Sequence, residues 1–227
     1  MGRDAFWQYV YLWESDFGEQ WEPWEGDNDW RRRGTQAASL LATDPAQALE
    51  QMESLSDEGY VWAMRYVGHI CSIEGAAEKD SQKAWAHLDR AVNGGSWMAT
   101  LELAKLINRE KLGDDWEPLL EDGVDAGFVP SMYWLAWYRY QRDPGRKSAW
   151  AVRPLLEQAV AAGHQGARMT LAQGMATGKF GWREIRAGFR LVGETLDDFA
   201  VMHSSETVER SGPVSSDENL PVVGNAI

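Results

Sequence analysis

The sequence predicts an all-α fold, an α/α solenoid of antiparallel helix pairs stacked into a superhelix. Three observations carry this. Apolar residues recur at helical rather than alternating spacing along most of the 227 residues. The runs are punctuated by Gly59, Gly95, Gly127 and Gly163, which lie 36, 32 and 36 residues apart. Periods in that range mark helix pairs that bury a face only by stacking on their neighbours. Finally, residues at fixed distances from those glycines are of one kind in every copy.

The stretch Asp80–Leu106 states the unit most legibly. Ala84, Leu88, Ala91 and Val92 form an apolar stripe, Gly94-Gly95 breaks it, and Ala99, Leu103, Ala104 and Leu106 resume it. Eleven, seven and four residues before each glycine come Ala48, Met52 and Leu55, then Ala84, Leu88 and Ala91, then Trp116, Leu120 and Gly123, then Val152, Leu156 and Ala159. Four residues after the glycines the side chains are small: Ala63, Ala99, Ser131 and Ala167. Eight after, they are branched aliphatics: Val67, Leu103, Leu135 and Leu171. Nine after, they are small again: Gly68, Ala104, Ala136 and Ala172. Small residues at fixed offsets let helices approach closely, and the aliphatic fills the space beside them.

Taken in order, Asp4–Glu14 reads as a helix with Asp4 as N-cap, followed by a Gly-, Pro- and Asp-rich loop that carries Trp21, Trp24 and Trp30. This segment, residues 1–30, is expected to cap the first repeat; the sharper reading is an acidic-aromatic recognition arm in which Trp21 and Trp24 contact a partner. Arg31–Ala42 looks helical, and Asp44-Pro45 marks the next start, with Asp44 as N-cap. Pro118 falls in a first helical turn after an Asp114 or Asp115 cap, whereas Pro154 is expected to kink its helix or delay its start. A last helix, roughly Trp182–Phe199, carries Ile185, Phe189, Val192 and Leu196 as its stripe. The helical repeats thus span residues 31–202, and residues 203–227 read as a disordered acidic tail, since they lack periodicity.

The unit Asp80-x-x-Lys83-Ala84, then Leu88, Ala91, Val92 and Gly95, then Ala99, Leu103 and Ala104, resembles the Sel-one-like repeat, a relative of the tetratricopeptide repeat. The resemblance covers about Pro45–Phe199. Later units depart from it, with Glu117-Pro118 and Arg153-Pro154 where the Lys-Ala pair is usual. It implies a tetratricopeptide-like superhelix that acts as an adaptor or scaffold and holds proteins or peptides on its curved surface. Some secreted, cysteine-rich members are linked to β-lactam hydrolysis. This chain lacks their paired cysteines, so that activity is not carried over.

Composition narrows the partner. A net charge of −13 argues against nucleic acid and anionic membranes and is compatible with a basic partner. Residues 1–30 hold −7 of that charge and residues 203–227 hold −3, which leaves the repeat body near neutral. The one cysteine, Cys71, cannot form an internal disulfide and reads as a small buried apolar residue. With no spanning apolar run and a poor signal peptide, a cytoplasmic location is expected.

No nucleotide, nucleophile-elbow or zinc-protease motif occurs, so no catalytic residue is assigned and no cofactor is expected. The four histidines stand singly, without a second ligand at i+3 or i+4, and no metal site is expected. The informative feature is the side of the glycine-following helices that the core does not use, at offsets three, seven, ten and fourteen. Those positions, with their flanks, supply Trp62, Tyr66 and His69, then Glu102 and Lys105, then Tyr133, Trp134, Trp137 and Tyr140. In superhelical repeats this helix type lines the concave face, and Trp, Tyr and Arg carry most interface energy.

The expected function is therefore non-enzymatic binding of a protein or peptide through that concave aromatic face. The same ladder also fits rings buried on one another or covered by the Trp-rich N-terminus. One alternative is an immunity-type inhibitor that neutralises a basic toxin or effector. Another is a hydrolase whose site joins Tyr66, His69 and Glu102 across adjacent repeats. A third is an oligomerisation module.

Overall fold

A computed structural model describes residues 6, 10, 13–15, 17–22, 28–41, 43–73, 77–112 and 116–210. Among these residues ten α-helices follow one another: α1 (Asn28–Ser39), α2 (Pro45–Asp57), α3 (Val61–Ser72), α4 (Ser81–Asn93), α5 (Trp97–Glu110), α6 (Trp116–Asp125), α7 (Val129–Arg142), α8 (Arg146–Ala161), α9 (Gln165–Ala176) and α10 (Ile185–Arg210). Residues 6, 10, 13–15 and 17–19 are helical as well, and no strand occurs among the described residues. The chain divides into two compact units, one of residues 15–123 and one of residues 1–14 with 124–210. Within the first, α1 to α5 pack consecutively; within the second, α7 to α10 do.

Helix starts follow local chemistry. Asp44 accepts a hydrogen bond from the Gln47 N–H with Pro45 at the first helical position, and Asp80 accepts from Gln82 and Lys83. Both carboxylates satisfy amides that the helix cannot pair itself. Ser96 does the same for Ala99, and the His164 imidazole does it for Ala167. The proposed caps Asp4, Asp114 and Asp115 lie outside the described residues.

Helix ends follow the repeat glycines. Gly59, Gly95, Gly127 and Gly163 have φ of 101°, 90°, 85° and 92°, a left-handed conformation that disfavours any residue with a Cβ. Tyr60, Ser96 and His164 then send their N–H groups back to the carbonyls of Leu55, Ala91 and Ala159, closing the outgoing helix in a Schellman turn. The next helix begins within two residues. The period read from the sequence is thus the period of this turn.

The aligned columns are the cores of the two units. The stripe that precedes the glycines is buried in all four copies, and so are the offsets four, eight and nine that follow them. Several expectations need correction. Helix α1 begins at Asn28, so Trp30 is helical rather than in a loop. Pro154 does not delay its helix, because α8 starts at Arg146 and carries the proline inside. The last helix runs to Arg210, past the expected end near Phe199, so residues 203–210 are helical; residues 211–227 lie outside the described set.

The stripe of α10 is also rotated from the expected one. Phe189 is 65% and Leu196 43% exposed, while Gly188, Thr195 and Phe199 face inward. Gly188 sets this rotation: a Cβ there would overlap the Ala176 backbone nitrogen, so the bare glycine turns toward the end of α9. Phe199 then closes a small core with Phe6, Val10 and Met169.

Gly95→Ala should lower stability by about 1 kcal/mol, because alanine pays the left-handed penalty. Urea denaturation of the variant beside wild type reads the loss, and equal midpoints would overturn it.

Candidate partner-binding surface

In the unit of residues 15–123, the Gly59 turn aims α3 so that Trp62, Tyr66 and His69 share one side of the helix. Trp62 and Tyr66 pack with a tilt at 4.5 Å between ring centroids, Tyr60 lies 5.9 Å from Trp62, and Trp30 of α1 stacks on Tyr60 at 5.4 Å. Both Trp62 and Tyr66 remain half-buried, and burial raises the Tyr66 phenol above its ordinary pKa. A row of rings with one edge open to solvent results.

Beside this row lies a buried charge cluster. Arg65, 8% exposed, donates to Glu102 of α5 at 3.1 Å, and His69 Nδ1 stands 3.5 Å from the other Glu102 oxygen. Burial pushes Glu102 up, but His69, Arg65 and Lys105 together hold it below the usual carboxylate value. Lys105 is half-buried on the same helix. Glu22 enters from the N-terminal segment, itself buried, and accepts the Met98 N–H at 2.9 Å. That amide belongs to the first turn of α5, where unpaired N–H groups favour an anion. Burial raises Glu22 above 4.5, and attraction to Arg65 offsets this only in part. Glu22 Oε2, Arg65 Nε and Glu102 Oε2 are buried without hydrogen-bond partners among the described residues, so the cluster is incompletely satisfied.

The unit of residues 1–14 and 124–210 uses the same device. Glu14 is buried at 2% exposure; its Oε1 accepts from Trp134 Nε1 at 2.8 Å and lies 3.1 Å from His164 Nε2. His164 accepts the Ala167 N–H on Nδ1, which places a ring hydrogen on Nε2, facing Glu14. Trp13 and Tyr133 pack on the imidazole at 4.9 and 4.6 Å. Trp134 and Trp137 are half-buried, and Tyr140, also half-buried, carries Lys179 over its ring at 4.3 Å.

Tyr133 must be corrected. Placed by its sequence position on the partner-binding face, it is 2% exposed, and burial drives its phenol far above the ordinary value. The reason is general to offset six, where Arg65, Leu101, Tyr133 and Met169 are all buried although they point away from the repeat core. N-terminal residues pack over this side: Glu22 near Arg65, and Phe6 with Val10 on Met169. Met98, at the outward offset three from Gly95, is buried for the same reason, against Gly18. Trp21 is half-buried and stacks on Phe17 at 6.4 Å, while Trp24 lies outside the described residues.

Arg65, Glu14, Glu22 and His164 are the residues that repeat spacing did not single out. Two of them sit in the acidic N-terminal block, and a lone acid gives no sign of its own burial. Tyr66, His69 and Glu102 do come together, as a hydrolase would need. Open cavities of about 530 and 270 Å³ lie elsewhere, at Arg31–Gln36 and at Ser81–Trp85 with Leu112. Cys71 is fully buried and burial raises its thiol, which disfavours the nucleophilic thiolate. Among the described residues no His, Cys, Asp and Glu group could hold a metal ion, and no helix is long and apolar enough to cross a membrane.

Arg65→Ala should cost about 3 kcal/mol or more, because it strands two buried carboxylates. A denaturation midpoint close to wild type would refute this. Glu22 has its folded-state pKa raised, so its stabilising contribution is complete below the unfolded value of 4.5 and is lost as pH rises through the folded one. The stability of wild type minus that of Glu22→Gln should therefore fall as pH rises from below 4.5; a flat or rising difference would contradict the assignment.

No protein-family model matches the chain, and no curated protein matches it in sequence. Solved structures do match in shape. A Sel1 repeat protein from Oxalobacter formigenes aligns with a TM-score of 0.57 and 12% identity, over 72% of this chain and 70% of its own. A protective antigen of uropathogenic Escherichia coli, c5321, aligns at 0.56 and 16% identity, over 81% of this chain and 42% of its own. Protein 5086 of Pseudomonas aeruginosa aligns at 0.53 and 15% identity, over 78% and 70%. The oxalobacterial and uropathogen proteins are described by their Sel1 repeat and its fold, and the shape shared with them shows that this chain carries the Sel1-like repeat fold, an all-α solenoid of helix pairs.

Proposed function

We propose that this chain is a non-enzymatic protein- or peptide-binding repeat protein, an adaptor or scaffold. Each unit offers a partner the outward side of its glycine-following helices: Trp62 and Tyr66 as anchors with His69, Glu102 and Lys105 as polar contacts in the unit of residues 15–123, and Trp134, Trp137 and Tyr140 as anchors in the other. One observation carries the reading: this side already holds polypeptide. Glu14 and Glu22 of the N-terminal segment dock there through a helix amide, an indole N–H and an imidazole. A surface built to receive one segment by those means has the chemistry to receive another. The half-buried tryptophans and tyrosines beside it are the residue types that dominate interface energetics.

The residues a hydrolase would use favour this reading over catalysis. His69 and Glu102 are drawn into the Arg65 cluster, where a structural arginine holds the carboxylate. An immunity-type inhibitor of a basic toxin or effector is a second reading. It is supported by the net charge of −13, although Glu14 and Glu22 are turned inward and are not displayed. A cytoplasmic setting suits either.

Affinity capture with wild type, Trp62→Ala and Trp137→Ala tests the surface in each unit by itself. Truncating an anchor ring should weaken retention of a partner by roughly tenfold or more. Equal recovery by all three proteins would rule the surface out. Under the second reading, binding should also fall steeply with added salt; insensitivity to salt would eliminate that reading alone.

A further inference from the structure

Helix α10 is the last helix among the described residues, and the outermost repeat of a solenoid normally turns a polar side to water. Here the outer side is apolar. Trp182, in the 3-10 turn before the helix, is 76% exposed, and on the helix itself Phe189 is 65% and Leu196 43% exposed, seven residues apart. Seven-residue spacing holds one line along a helix, the pattern by which two helices form a seam. Gly193 lies on that line, and a Cβ there would meet nothing within 4 Å, so another backbone could approach closely.

The charges beside this line are segregated along the helix. Arg183, Arg186 and Arg190 come first, Glu184 among them being paired with Arg153, and Glu194 and Asp197 follow. Arg190 and Asp197 lie on the same flank, seven residues apart, on either side of Gly193. Arg190 reaches Glu194 only at 3.7 Å, with both side chains well exposed, so that pair holds neither firmly. Asp198 is already engaged by Arg168.

We propose that the outer side of α10 is a self-association surface that pairs with the same helix of a second copy of this chain. The pairing is antiparallel, about a twofold axis near Gly193. That operation lays Phe189 against the partner's Leu196 and Arg190 beside the partner's Asp197, and repeats both contacts by symmetry. A parallel arrangement would put the Arg190 and Asp197 flanks of the two copies on opposite sides of the seam, where they could not pair. One self-complementary patch, apolar in its line and opposite in charge at its two ends, needs no further protein to satisfy it.

Sedimentation equilibrium of the full chain over about a hundredfold range of concentration should show mass rising toward twice that of the monomer. Phe189→Glu should weaken association by roughly tenfold or more. Arg190→Glu and Asp197→Arg each place like charges together and should each weaken it too. Mixed in equal amounts, those two variants should recover a heterodimer, because both Arg–Asp contacts then join opposite charges again. The charge variants sit at solvent-facing positions and keep the test readable should Phe189→Glu disturb the fold. A monomer at every concentration overturns the proposal and leaves the surface to residues 211–227 or to a different protein. A dimer indifferent to these substitutions, or variants that do not recover on mixing, overturns it as well.

Discussion

The left-handed glycine turn is the constraint on which the other features rest. At Gly59, Gly95, Gly127 and Gly163 the chain must leave one helix and enter the next within two residues, and only a residue without a Cβ takes that conformation at little cost. The turn sets where each following helix begins, and hence which of its residues meet the core. Offset four must then be small because the neighbouring helix passes close to it, and Ala63, Ala99, Ser131 and Ala167 are fully buried there. The aliphatic at offset eight fills the remaining space. A local backbone requirement becomes a packing register, and the register fixes which side of the helix is left for other uses.

That other side is not left to solvent. Glu14 and Glu22 bring carboxylates into it, each against donors supplied by the start of a repeat helix: the Met98 amide in one unit, and His164, which caps α9, in the other. Burying a carboxylate is costly unless it is bonded and compensated. Glu14 has two close donors, whereas Glu22 has one bonded oxygen and one without a partner, beside an arginine that is itself incompletely paired. The Glu22 contact is therefore the less completely satisfied of the two. Glu14 and Glu22 show what this side offers to a carboxylate: a helix amide, an indole N–H and an imidazole.

Helix α10 shows how one close contact redirects a whole element. Periodicity alone groups Ile185, Phe189, Val192 and Leu196 as a buried stripe. Gly188 packs against the α9 backbone, which rotates the helix so that Phe199 enters the core with Phe6 while Phe189 and Leu196 turn outward. An apolar moment locates a hydrophobic face; it does not say which of two apolar faces has a neighbour.

The sequence by itself determined the repeat, the helix pairing and the buried columns, since each is a relation among residues a few turns apart and is written in spacing. Asp44 capping with Pro45 and the Schellman glycines are local in the same sense, whereas the offsets of Trp62, Tyr66, Trp134 and Trp137 did not say how far the rings are buried, and the structure leaves them half-buried. Contacts between distant segments were decided by tertiary structure alone. Glu14 meets His164 150 residues away, Glu22 meets Met98 76 residues away, and Arg65 meets Glu102 37 residues away. Nothing near Glu14 or Glu22 in sequence distinguishes them from the solvent-facing acids of the same block. The energy of a buried charge depends on the donors that folding carries to it, and those donors lie on other helices.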